Sequence, residues 1–157
     1  MSTFTVVNED TLAHAVGQSQ QRLVYIAPGI TNKIVEAMGA LMTRSQPSVL
    51  TVIIDADPEV CRLGYGTVEG LKALQALATA HMLPVRYQPG LRLGVLVCDD
   101  EISVYSPTPL LIEAGSDRAD QPNAITLGTA NPLALVLKAC AAEGETGPLT
   151  PLTSEAE

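Results

Sequence analysis

The sequence predicts an α/β domain, with a mixed but mostly parallel sheet flanked by helices, on three observations. Apolar, β-branched-rich runs over residues 23–27 and 49–54 read as strands buried on both faces, as in parallel sheets. Each run is followed by a segment whose apolar residues recur at helical spacing. Farther along, two apolar stretches flank the acidic turn Cys98-Asp99-Asp100-Glu101, the pattern of an antiparallel hairpin.

Taken in order, Phe4 opens a short edge strand over 4–7. Asp10 is a suitable N-cap for a helix to about residue 20, with Leu12, Ala13 and Val16 on one face. The first buried strand stops at Pro28-Gly29. Thr31 or Asn32 then caps a helix that carries Ile34, Val35, Met38, Leu41 and Met42 at helical spacing. The second buried strand finishes at Asp55, and a long loop over 55–66 leads to Thr67. That threonine caps a helix with Val68, Leu71, Leu74, Leu77 and Ala78 on its stripe and His81 in its last turn. Residues 85–87 form a third strand, 92–97 and 102–105 the hairpin, and 124–127 an edge strand. Asn131 and Pro132 suit the start of a last helix to about residue 142. Residues 1–142 thus read as one domain. Residues 143–157, dominated by Gly, Pro, Thr and Glu, read as a disordered tail or linker.

At 157 residues the chain is long enough to bury a core. With four Tyr, one Phe and no Trp, that core must be aliphatic, and platforms for stacking bases are few. The net charge of −8 argues against a nucleic-acid partner, whose phosphates require clustered Lys and Arg. Four of the 17 acids lie in the tail; the remaining 13 face nine bases, which leaves no marked basic patch. Cys61, Cys98 and Cys140 are odd in number, widely spaced and free of metal-ligand spacing, so they read as reduced thiols; no metal or cofactor is assigned. The N-terminus lacks the basic and apolar regions of a signal peptide, and no apolar run approaches the roughly 18 residues of a membrane span. A soluble, cytoplasmic protein with no membrane partner is expected.

Between about residues 20 and 127 the order of elements resembles one repeat of the phospholipase D-like superfamily. The likeness rests on Leu83-Pro84-Val85-Arg86, the Pro89-Gly90 turn, the apolar strand after it, the acidic turn and Ser106-Pro107. In that family the strand carries a His-x-Lys-x4-Asp motif. The His attacks phosphorus, the Lys neutralises phosphate oxygens, and two motifs from two repeats or two subunits make one site. The matching positions here hold Leu91, Leu93 and Cys98, with the adjacent Asp99 retained and Ser106 where a later small hydroxyl would fall. Neither His14 nor His81 falls where it could substitute. The resemblance therefore implies the fold without its chemistry: a catalytically inactive module that binds a ligand or a protein partner and self-associates or docks to another domain. It also implies that the leucine positions are buried core.

The 55–66 loop leaves the carboxyl end of a buried strand and opens a helix, where open α/β sheets place ligands. Asp55, Asp57 and Glu59 alternate with Ala56 and Pro58, an oxygen-rich pattern that could meet a hard cation but more simply is solvated or caps a helix. Gly64-Tyr65-Gly66-Thr67 could cradle an anion on free amides, or form a turn in which the glycines take positive φ. The candidate ligand-binding residues are Asp55, Asp57, Arg62, Tyr65, Gly66 and Ser106, with no catalytic or metal-binding residue. The alternative function is an enzyme or anion-binding protein acting on a phosphorylated small molecule at this rim. Asp99-Asp100-Glu101 is expected to be a solvated hairpin turn.

Overall fold

In the computed structural model of the chain, residues 4–45, 47, 49–55, 57–107 and 122–128 are described. Seven strands are found among them: β1 (Phe4–Thr5), β2 (Arg22–Ala27), β3 (Val49–Ile54), β4 (Val85–Tyr87), β5 (Gly94–Cys98), β6 (Glu101–Tyr105) and β7 (Ala124–Gly128). The helices are α1 (Glu9–Gln18), α2 (Asn32–Arg44), α3 (Pro58–Leu63) and α4 (Val68–His81). The strands form one sheet in the order β1-β7-β6-β5-β2-β3-β4.

Only β2–β3 and β3–β4 pair in parallel, whereas β2–β5, β5–β6, β6–β7 and β1–β7 pair antiparallel. The sheet is therefore mixed, and the expectation of a mostly parallel one is overturned. Helical crossovers through α2 and then α3–α4 keep β2, β3 and β4 parallel. From β5 onward no described helix intervenes, and each strand runs against its neighbours. Residues 124–127 were expected at an edge, but β7 lies between β6 and β1, which leaves β1 as the edge.

Strand alternation divides the buried residues between two faces. Leu23, Tyr25 and Ala27 of β2 join Val52, Ile54, Val85, Leu96 and Tyr105 in a core packed with α1, α2 and α4. Val24 and Ile26 join Ile53, Val95, Val97 and Ile102 in a smaller cluster on the other face. α2 packs against both α1 and α4.

Local chemistry explains where the elements begin. α1 starts one residue before the expected cap, because Asn8 accepts the Thr11 amide while the Thr11 side chain accepts the Asn8 amide. Thr67 caps α4 by accepting the Gly70 amide. The 55–66 stretch is not all loop. Asp57 accepts the Glu59 amide, Pro58 occupies the first turn of α3, and Gly64, at φ 93, ends it.

The hairpin turn is also more than solvated. Asp99, at φ 56, accepts the backbone amides of Gln20, Gln21 and Arg22, and Arg22 pairs with Asp100 at 2.8 Å. Burial disfavours the Asp99 carboxylate, but its hydrogen bonds from Gln21, Arg22 and Gln20 outweigh that and hold its pKa below the usual carboxylate value. The expected helix over 131–142, Cys140 and the 143–157 tail lie outside the described residues. No helix among the described residues is long and apolar enough to cross a membrane.

Candidate functional site

β3 is followed directly by Asp55, whose side chain is only 4% exposed. A carboxylate this buried requires compensation. Oδ1 accepts the Asp57 amide at 3.0 Å, and Oδ2 accepts the Gly90 amide and Arg92 Nη1, each at 3.0 Å. The Pro89-Gly90 turn, with Gly90 at φ 77, brings that amide to Asp55. Arg92 also donates to the Leu91 carbonyl and sits over the Tyr65 ring, Cζ 5.7 Å from its centroid. Sequence reading missed Arg92. The available signal was a buried-strand aspartate in need of a cation and an arginine just after a Pro-Gly turn.

Tyr65 also belongs to a close backbone junction. A Cβ on Gly29 would lie 1.6 Å from the Tyr65 carbonyl oxygen, and one on Gly66, at φ 110, 2.6 Å from the Ile30 nitrogen. The Thr67 amide donates to the Ile30 carbonyl at 3.1 Å. The turn after β2 and the start of α4 are thus held backbone to backbone, and no side chain larger than hydrogen fits between them.

Beside this junction opens a cavity of about 90 Å³. Tyr25, Tyr65 and Tyr105, three of the chain's four tyrosines, line it together with Glu9, Leu12 and Thr31. The Tyr25 hydroxyl donates to the Gly29 carbonyl at 2.8 Å. The Tyr105 ring lies over Gly94, its cross-strand partner, where a Cβ would be 2.1 Å from the ring. Among the described residues, two hydroxyls, Thr31 Oγ1 and that of Tyr105, are buried without a protein partner of hydrogen-bonding geometry. Burial raises the pKa of both Tyr25 and Tyr105. The adjacent Tyr105, and then the charge of Glu9, push Tyr25 further up, while the neighbouring Tyr25 hydroxyl partly offsets the rise at Tyr105, so both stay neutral donors. A second cavity, of about 190 Å³, lies along α1 and is lined by Thr5, Thr11, Ser103 and Thr126. There Thr126 bonds both Thr5, at 3.0 Å, and Ser103, at 3.2 Å.

The expected site residues separate. Asp55 and Tyr65 are joined through Arg92, and Tyr65 and Gly66 line the first cavity. Asp57 caps α3, and the exposed Arg62 pairs with Glu59 at 2.9 Å. Ser106 is exposed and bonded through its backbone to Asn123, while its neighbours Tyr105 and Pro107 line the cavity. Among the described residues, no group of three or more His, Cys, Asp or Glu is placed to hold a metal ion.

The positions matched to the His-x-Lys-x4-Asp motif also need correction. Leu93 is 48% exposed and Leu91 only half-buried, because both precede β5, which starts at Gly94. The buried core of this hairpin is instead Val95, Leu96, Val97, Ile102 and Tyr105. The Cys98 thiol is pushed up to about 11, by burial first and then by Asp99 and Glu101, against an opposing bond from Ser19. It is protonated at neutral pH and a poor nucleophile. His14 on α1 and His81 at the end of α4 are both exposed.

No protein-family model and no curated protein matches the chain. Solved structures do. Nuc, a phospholipase D family member from Salmonella typhimurium, superposes with a TM-score of 0.58 at 15% identity, over 88% of this chain and 90% of Nuc. The fold is phospholipase D-like. TrmBL2, an archaeal chromatin protein with a novel mode of DNA binding, matches with a TM-score of 0.54 at 14% identity. That match covers 94% of this chain and 55% of TrmBL2, so the chain spans about half the length of that protein. At such identities the likeness is one of fold. The expectation against nucleic acid rests on composition, and TrmBL2 is a protein of similar fold that binds DNA.

Proposed function

We propose that the chain is a phospholipase D-like module without phosphodiester catalysis, acting by binding and self-association. The observation that carries this reading is the set of side chains at the matched positions: Leu91, Leu93 and Cys98. Cleaving a phosphodiester through a covalent intermediate needs a nucleophile and a fixed positive charge on the phosphoryl oxygens. Two leucines and a protonated thiol supply neither. Arg92, the cation between the leucines, is engaged by the buried Asp55.

A binding role without nucleic acid has support in the charges. Arg22, Lys33, Arg62 and Arg92 pair with Asp100, Asp10, Glu59 and Asp55. The same pairing weakens the alternative of a phosphorylated small molecule at the 55–66 rim, because the arginine expected to hold it is bonded to Glu59. Self-association has one supporting feature: Phe4, Ile125 and Val104 are cross-strand neighbours on one face, and all three are exposed.

The test is hydrolysis of bis(4-nitrophenyl) phosphate by the purified chain. The expected rate is that of buffer alone. Turnover that disappears in Arg92→Ala would overturn the non-catalytic reading. Light scattering that reports a strict monomer at high concentration would remove the self-association part.

A further inference from the structure

Three of the four described helices begin on a side chain that accepts a backbone amide: Asn8 for α1, Asp57 for α3 and Thr67 for α4. α2 does not. Its N-cap Thr31 makes no capping hydrogen bond although it is 9% exposed, and its Oγ1 is buried without a partner. The first-turn amides of α2 therefore receive no capping bond from Thr31, and an intrahelical carbonyl is out of reach for them. Among the described residues, the Tyr105 hydroxyl, in a residue 5% exposed, is also buried without a partner of hydrogen-bonding geometry, although the Tyr25 hydroxyl lies near it. Thr31 and Tyr105 line the same cavity, and burial keeps the Tyr105 hydroxyl protonated, so it remains a donor. Buried donors left unpaired are costly, and two on one cavity wall call for an acceptor.

The rest of the wall defines that acceptor. Leu12, Ile30 and Ile34 make it largely aliphatic. A volume of about 90 Å³ limits the occupant to a small molecule. Glu9 also lines the cavity, and a carboxylate there repels an anion. The helix dipole of α2 favours negative charge, but only as a partial charge of about one half at the helix end. The nearby Lys33 pairs with Asp10, and Glu9 acts on it only as the smallest of its influences.

We propose that this cavity binds a short, branched aliphatic acyl compound in neutral form. Its acyl oxygen accepts from Thr31 Oγ1 and the Tyr105 hydroxyl, beside the first turn of α2, and its alkyl part lies on Leu12, Ile30 and Ile34. The inference rests on the proposed binding role but is tested apart from it: the hydrolysis assay addresses catalysis, whereas the following titration addresses this cavity.

Isovaleramide is titrated into the purified chain and followed by two-dimensional ¹H–¹⁵N NMR, with isovalerate as the charged counterpart. Saturable shifts are expected at the amides of Gly29, Ile30, Thr31 and Tyr105, with isovalerate weaker by about tenfold or more, a difference that Glu9→Gln removes. Thr31→Val with Tyr105→Phe should weaken isovaleramide by about tenfold or more while the rest of the spectrum stays dispersed. Tyr105→Phe alone, which deletes one oxygen, provides the same reading if the double variant does not fold. No saturable shift at those amides with either compound overturns the proposal. So does unchanged affinity in the folded variants, and so does isovalerate binding more tightly than isovaleramide.

Discussion

Arg92 and Asp55 meet at 3.0 Å across 37 positions of sequence, and the contact ties the carboxyl end of β3 to the segment entering β5. Asp55 holds three donors, from Arg92, Gly90 and Asp57, so its removal leaves two backbone amides without a partner and takes the carboxylate from Arg92. Asp55→Ala should therefore cost about 3 kcal/mol in urea denaturation. Arg92→Ala should cost less, about 1–2 kcal/mol, because the two amides still hold the carboxylate and Arg92 is partly exposed. Equal costs would contradict this ordering.

Asp99 gives the fold an acid-sensitive joint. Its folded-state pKa lies below the unfolded value of about 3.9. The stabilisation is therefore complete above that unfolded value and is lost as pH falls through the lower, folded value. Asp99→Asn should be less stable than the parent at pH 7, and the gap should close as pH drops from about 5 to below the folded pKa. Chemical denaturation across that range checks it. A gap that widened toward acid would contradict the bonding described.

Two helical glycines should respond to alanine with opposite signs. A Cβ on Gly39 would meet nothing closer than Leu77 at 3.6 Å, so Gly39→Ala should stabilise by about 0.5–1 kcal/mol through helix propensity. A Cβ on Gly70 would fall 2.2 Å from the Ile30 carbonyl oxygen and force the junction apart. Gly70→Ala should destabilise despite the same gain in propensity, by about 1–3 kcal/mol, as read from thermal or urea unfolding.

Cys98 should be a slow thiol. Burial and the neighbouring carboxylates place its titration at about 11, so alkylation by iodoacetamide in a Cys61→Ser, Cys140→Ser background should stay slow at pH 8 and accelerate only toward pH 11. A rate at pH 8 matching a free cysteine would contradict the burial.

Locally encoded features were legible in the sequence. β2, β3, α2 and α4 announced themselves through apolar periodicity, and Thr67 through its capping chemistry, because each depends on neighbours within a few residues. Relationships across the chain were not. Nothing near Arg92 marks it as the partner of Asp55, and nothing near Asp99 says it holds amides 77–79 positions away. The strand order hid likewise: β7 reads as an edge from its length and composition, yet β1 closes over it. Leu93 was expected in the core from its match to the motif, but the Pro89-Gly90 turn delays pairing until Gly94, two residues after the expected start of the strand.

The reading proposed for this chain is that residues 90–98 of its fold bind no phosphate. Tungstate, a phosphate-shaped oxyanion, tests it most directly when titrated into the chain by two-dimensional NMR and read at the amides of residues 90–98. The account expects no saturable shift there into the millimolar range. Saturable binding at those amides, abolished by Arg92→Ala in a folded protein, would contradict it.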